Sequence, residues 1–294
     1  MGCKPSREDT SVPRSLLELV ESEWSRRRSR RWECMERLWG LRAWRYSASF
    51  KRLFEHYALK ARIILGLLGA SSSDVVVDVG AGPGTYTIPF ALYCRRVVAI
   101  EPCREMVEEL LENARRLGLD NIEVVKARWE DVDVNKLGDV DYIVAVHSLP
   151  CMSRLSDNIS KMVKAARRGI CIVMFAGEPP WRRLYHEAAR ILGVGGRFKY
   201  LDYIYPYIVL HEIGVYASIR ILEWVYTEEY DDEYSAAMRW LSPVAAEHGV
   251  RVTEDHVRRM ERIVVNLARR INGRLVLSSR VREAIIYATW TRSS

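Results

Sequence analysis

The chain predicts an α/β fold, a doubly wound and mostly parallel sheet, on three observations. Short β-branched runs alternate with stretches of helical period from residue 75 to residue 192, the pattern that builds βαβ units. The first run, Val75-Val76-Val77-Asp78-Val79, is almost wholly apolar, as a strand covered on both faces must be. That run ends in glycines, at 80, 82 and 84, where a strand turns sharply into a helix.

The elements follow in order. Residues 14–46 read as one or two helices, with Leu16, Leu17, Val20 and Trp24 and then Trp32, Met35, Leu38 and Trp39 at helical spacing. Residues 50–69 read as another helix, closed near Gly69. From Val75 the chain alternates. Strands are expected at Val75–Val79, Val97–Glu101, Ile122–Lys126, Asp141–Val146 and Ile170–Phe175. Helices fall between and after them at Tyr86–Tyr93, Arg104–Leu117, Leu155–Ala166 and Trp181–Leu192. Beyond residue 195 the pattern gives a strand at Tyr216–Tyr226, helices at Glu233–His248 and Glu254–Ile271, and a last strand at Ala284–Trp290. The domain boundary is drawn near residue 45, between a basic helical extension (1–45) and the main domain (46–294). Residues 178–213, rich in Tyr, Trp, Gly and Pro, are the expected lobe or lid over the site.

Composition narrows the class. The 294 residues are 49% apolar and 28% charged, ordinary for a soluble globular protein. No apolar run reaches the length of a membrane span, and the polar N-terminus carries no secretory signal, so a cytoplasmic location is expected. Met1-Gly2-Cys3-Lys4-Pro5-Ser6 fits an acylation consensus, a pattern short enough to arise by chance. Glutamine is absent and Arg and Glu are abundant, which points to a thermophilic source; GC-rich codons explain the same bias in Arg. The six cysteines form no C-x-x-C pair, so no metal site is expected. Of the net charge of +7, Arg26–Arg45 holds eight arginines against Glu33 and Glu36. Such a patch suits an anionic partner.

The loop Asp78-Val79-Gly80-Ala81-Gly82-Pro83-Gly84-Thr85 carries the chemistry. A dinucleotide fingerprint needs its third glycine one residue later, where Thr85 stands. The pattern is instead acidic-x-G-x-G-x-G, which resembles motif I of class I S-adenosylmethionine (SAM)-dependent methyltransferases. SAM carries an ammonium group and no pyrophosphate, so a carboxylate suits it better than a phosphate cradle. The resemblance runs over residues 46–228, and to 290 if the last strand is the family's antiparallel one. It implies a seven-stranded sheet, SAM as cofactor and S-adenosylhomocysteine as product.

The resemblance gives the loop residues Asp78, Gly80, Ala81, Gly82, Pro83, Gly84 and Thr85 to the cofactor. Glu101 ends the second expected strand, and two carboxylate oxygens there match two ribose hydroxyls. Pro102 and Met106 are expected to flank the adenosine. The third landmark departs from the family. Arg128 stands where an adenine-binding acid is usual, so Glu130 or the backbone of Trp129 is expected to serve adenine; Trp129 reads equally as a core plug. His147-Ser148-Leu149-Pro150 follows the fourth strand and should face the methyl group, because ligands of doubly wound sheets bind at the carboxyl ends of the strands.

His147 is the candidate general base, needed only if the acceptor must lose a proton. His56, Tyr57, Trp181 and Tyr203 are the candidate acceptor residues, with tyrosines 200, 205 and 207 beside Tyr203. A small-molecule acceptor is the first reading. RNA or protein is the rival acceptor, through Arg26–Arg45, and a non-catalytic SAM-binding module is a third reading. The Trp spacing in 24–39 favours packing over base stacking.

Overall fold

In the computed structural model of the protein, residues 15–27, 39–40, 43, 47–48, 50–179, 181–195 and 201–291 are described. One sheet runs in the order β3-β2-β1-β4-β5-β8-β6, with β7 paired to β8. Its parallel core is β1 (Val75–Val79), β2 (Arg96–Ile100), β3 (Ile122–Val125), β4 (Tyr142–Val146) and β5 (Gly169–Phe175). The chain then adds β6 (Ser218–Tyr230), β7 (Arg269–Ile271) and β8 (Arg274–Thr289), with β8 antiparallel to both β5 and β6. Seven strands form the path the sequence implied, and β7 is an eighth.

The continuous apolar strands are buried on both faces because helices cover both. Side chains of alternate residues form one core with α1 (Leu16–Arg27), α5 (Leu155–Ala165) and α7 (Ile204–Glu212). The opposite face packs on α2 (Phe54–Leu68), α3 (Thr87–Ala91) and α4 (Arg104–Arg116). Trp24 of α1 is fully buried, and its indole N–H donates to the Met152 carbonyl at 3.1 Å. Residues 16–27, drawn in the sequence as part of an extension, therefore pack into the main core, and Trp24 is no stacking platform. The tryptophans and arginines of 28–38 lie outside the described residues.

The C-terminal third departs most from the sequence pattern. β8 pairs with β5 only from Glu283 to Thr289, but with β6 from Leu275 to Tyr287. The two strands thus run on as an antiparallel arm past the carboxyl end of β5. Helices α6 (Trp181–Ile191), α8 (Glu233–His248) and α9 (Glu254–Leu267) cover one face of that arm around Trp240, Leu241 and Met260. The helix expected at Glu254–Ile271 stops at Leu267, and the strand expected at Ala284–Trp290 begins ten residues earlier, at Arg274. The cause is an Asn-Gly hairpin: Asn272 and Gly273 take φ of 50° and 81°, the turn that folds β7 back on β8. The two helices within 178–213 separate. α6 joins the arm, whereas α7 packs on α1 and α5 across the sheet.

Candidate active site

The glycine loop sits at the carboxyl end of β1 and is tied to β2. The N–H groups of Gly80 and Ala81 both donate to the Ile100 carbonyl, at 2.8 and 3.1 Å. Gly80 is required by contact, since a Cβ there would collide with the Ser148 side chain. Gly82 differs: its φ is 55°, and a Cβ there would meet nothing within 4 Å. That open space is where the resemblance seats a ligand. The Pro83 carbonyl accepts from Asn113 Nδ2 at 3.1 Å, which fixes the loop on α4, and Thr85 is half-buried beside it.

Two carboxylates frame the loop. Glu101 takes the Gly82 N–H on Oε2 at 2.8 Å and the Cys103 N–H on Oε1 at 2.9 Å, so its oxygens are fixed in direction. Asp78 is buried and accepts from the Thr87 hydroxyl at 2.6 Å. Burial pushes its carboxyl up to about 7, the Thr87 hydroxyl pulls it back in part and the charge of Glu101 pushes it further. A cation beside this pair is favoured, and an ammonium group fits. Pro102 is half-buried, and Met106 packs with Cys103 against Ala43 and Trp39, so described residues of the N-terminal segment lie against the start of α4.

The third landmark divides. Trp129 is a core plug, 2% exposed, donating its indole N–H to the Asn158 carbonyl at 3.2 Å, and its own carbonyl accepts from Lys161 at 2.7 Å. Glu130 accepts from the Ser153 N–H at 3.1 Å. Neither carries the geometry of an exposed adenine contact.

After β4, His147 takes φ 55°, uncommon for a side chain larger than glycine's. Its N–H bonds the Val173 carbonyl at 2.9 Å and its ring stacks on Phe175 at 4.1 Å. The turn aims His147 Nε2 at Glu283 Oε1, 2.7 Å away. Ser148 Oγ is buried with no hydrogen-bond partner, beside Gly80, and Leu149 goes to the core.

Glu283 is the residue that the sequence reading missed. It is 1% exposed, in a strand that is otherwise apolar from Ala284 to Ile286. Lys60 of α2 pairs with it, and Trp224 Nε1 donates to it at 3.0 Å. Burial alone would raise its carboxyl; His147 and Lys60 outweigh that and bring it to about 2. Burial also lowers Lys60, against the pull of Glu283. His56, one helical turn before Lys60, lies 4.6 Å from the Trp224 ring, and its Nε2 is buried without a partner. Tyr57 packs between Phe50 and Tyr86. Trp181 packs between Phe175 and Tyr226 at the root of the arm. Tyr203, at the start of α7, and Tyr205 and Tyr207 within it instead pack on the core beside α1, so the tyrosine group is split from Trp181. The available signals were the i, i+4 pair His56/Lys60 and a lone acid in a buried strand.

Two surface grooves lie elsewhere, one of 340 Å³ between Gly40 and the acidic face of α4 and one of 530 Å³ between Val134 and Arg167. Neither touches the glycine loop. Among the described residues no group of three His, Cys, Asp or Glu side chains converges as a metal site would, and no helix is long and apolar enough to cross a membrane.

Residues 76–171 match the family model of a methyltransferase domain. Over those residues the chain is similar to a methyltransferase domain. The open face at Gly82 with the two framing carboxylates fits SAM, the group that the resemblance implies. The YcgJ protein of Bacillus subtilis shares the fold, with a TM-score of 0.51 at 14% identity over 81% of this chain and 100% of that one. A 23S rRNA (uracil(1939)-C(5))-methyltransferase of Aeromonas salmonicida is 46% identical over 63 residues, 21% of this chain and 14% of that protein. A protein of Methanocaldococcus jannaschii named a cobalt-precorrin-6B C(15)-methyltransferase (decarboxylating) is 36% identical over 70 residues, 24% of this chain and 38% of that protein. The chain thus spans well under half the length of these curated relatives. Their names give different acceptors, an RNA uracil and a cobalt-precorrin, so neither name fixes an acceptor for this chain.

Proposed function

We propose that the protein transfers the methyl group of SAM to a small-molecule acceptor held between the carboxyl ends of β4 and β5 and the β6–β8 arm. The observation that carries this reading is the His147–Glu283 pair at the end of β4, one residue before Ser148, whose side chain lies against Gly80, so that a base stands near the cofactor loop. Bound SAM supplies a methyl group on a sulfonium, already a good leaving group. The chain's own residues do the rest. Asp78 and Glu101 orient the donor. Glu283 fixes His147 with Nε2–H toward the carboxylate, which leaves the Nδ1 lone pair to take a proton. Phe175 and Trp181 shield the site from water. Positioning of this kind is worth up to ~7–11 kcal/mol. A non-catalytic SAM-binding module would have no use for a buried ion pair that orients a histidine.

The RNA reading draws on the rRNA enzymes among the relatives and on Arg26–Arg45. Within the described residues it finds little support: Trp24 is buried and Arg26 pairs with Glu23. The first test is ligand-linked stabilisation. S-adenosylhomocysteine should raise the melting temperature and bind by calorimetry, and NAD should do neither. A response to NAD alone would overturn the assignment of the loop.

A further inference from the structure

One buried cation has no part in the chemistry above. Lys60 of α2 keeps only 6% of its side chain exposed, so its ammonium group is shut off from solvent. The charge it meets is that of Glu283, with which it pairs. Its other close neighbours are rings, Trp224 at 4.9 Å and Tyr86 at 5.8 Å from Nζ. His56, one turn earlier in α2, does not share the task of balancing Glu283. Burial first, and then the charge of Lys60, lowers the pKa of His56, which keeps that ring neutral.

The partners of Glu283 divide between its two oxygens. Trp224 Nε1 donates to Oε2 at 3.0 Å, and Lys60 pairs with the same oxygen. Oε1 is left to His147 Nε2, at 2.7 Å. An ionised carboxylate only accepts, so the hydrogen of that bond sits on Nε2 and Nδ1 keeps its lone pair. A protonated carboxyl would reverse the bond: it would donate to Nε2, and the hydrogen of the ring would move to Nδ1. Burial favours that protonated form, and His147 and Lys60 together outweigh it. Stability alone does not account for the ion pair. Two charges taken out of water lose their hydration, and an apolar pair of the same volume joins two elements as well or better. What an apolar pair cannot do is keep a carboxylate ionised against a histidine.

We propose that Lys60 is a positioning residue: it holds Glu283 ionised through Oε2, so that His147 is fixed with its hydrogen on Nε2 and presents Nδ1 as the base. The base role rests on the methyltransferase reading above. Lys60 itself touches no reacting atom. It acts through Glu283, from a helix that the β-sheet alone brings to His147.

The test reads the ring nitrogens of His147 directly. The full chain is isotope-labelled at the nitrogens of its six histidines, and proton–nitrogen correlation spectra are recorded near neutral pH with no methyl donor present. His147→Asn assigns the signal by its loss. In the wild type Nε2 should carry the hydrogen and Nδ1 none. In Lys60→Met, Nδ1 should become protonated, whether Glu283 keeps the new proton and donates it to Nε2 or passes it to the ring. A urea melt certifies that the variant folds. If it does not, Lys60→Met/Glu283→Gln answers instead. There Trp224 takes the amide oxygen and the amide nitrogen donates to Nε2, so Nδ1 should again be protonated. A merely structural ion pair would move the melts and leave the ring nitrogens as they are. A wild-type ring with its hydrogen already on Nδ1, or an Nδ1 that stays bare in the variant that folds, would overturn the proposal. Binding of S-adenosylhomocysteine is measured separately on the wild type. Its failure would strike the methyltransferase reading, and the nitrogen spectra would still judge Lys60 alone.

Discussion

At the scale of single residues, the loop separates glycines by purpose. Gly80 is needed because Ser148 leaves no room for a side chain, and Gly82 because of its φ of 55°, beside an open face that the proposed cofactor would fill. Gly82→Val should abolish S-adenosylhomocysteine binding by calorimetry, and a urea melt should show the strain of a β-branched side chain at positive φ as a modest loss of stability; unchanged affinity would move the cofactor elsewhere. Glu101→Ala should weaken adenosine-containing ligands by ~1.5–3 kcal/mol, and the Gly82 and Cys103 N–H groups that it holds would loosen too. Glu283→Gln leaves Lys60 buried without its counter-charge and should cost about 3–5 kcal/mol of stability. The double variant Lys60→Met/Glu283→Gln removes both charges and should recover most of that loss in the same denaturation assay. Asp78, the glycines and Glu101 were legible because the motif is local. Glu283 was not, because nothing near it in the chain names its partners: Lys60 and His147 meet it only through the sheet.

At the scale of elements, the five parallel strands were legible to within a residue or two, because each is a short β-branched run, buried on both faces in all but the edge strand β3. The β6–β8 arm was not. Half of its residues face solvent or the α6–α8–α9 cluster, so the apolar run that marks a doubly covered strand breaks up, as in Arg280-Val281-Arg282-Glu283. The arm nevertheless has its own core. Trp240 of α8 is 1% exposed and packs on Tyr185 of α6 at 5.4 Å. Trp240→Ala should cost about 3–5 kcal/mol, and S-adenosylhomocysteine affinity should stay within twofold, because α8 packs on α6, α9 and β6 and not on the glycine loop. A parallel loss of cofactor affinity would mean that arm and loop fold as one cooperative unit.

At the scale of the whole molecule, two buried carboxylates give stability opposite slopes with pH. Glu283 titrates near 2 in the fold against an ordinary 4.5. A depressed acid contributes stability above its unfolded value, here about 3 kcal/mol, that is lost as pH falls from 4.5 towards 2. Asp78 titrates near 7 against an ordinary 3.8, so the folded state binds its proton more tightly than the unfolded one. Stability from that group is complete below 3.8 and declines by about 4 kcal/mol as pH rises to 7. The ligand-free protein should be most stable near pH 4–5 and weaken towards neutrality. An ammonium group beside Asp78 favours its ionised form and cancels that decline, so the stabilisation by S-adenosylhomocysteine should grow between pH 5 and pH 7. Urea melts with and without the ligand across that range measure it. Asp78→Asn should flatten the ligand-free curve and make the ligand effect constant with pH, and a wild-type ligand effect that already stays constant with pH would detach Asp78 from the cofactor.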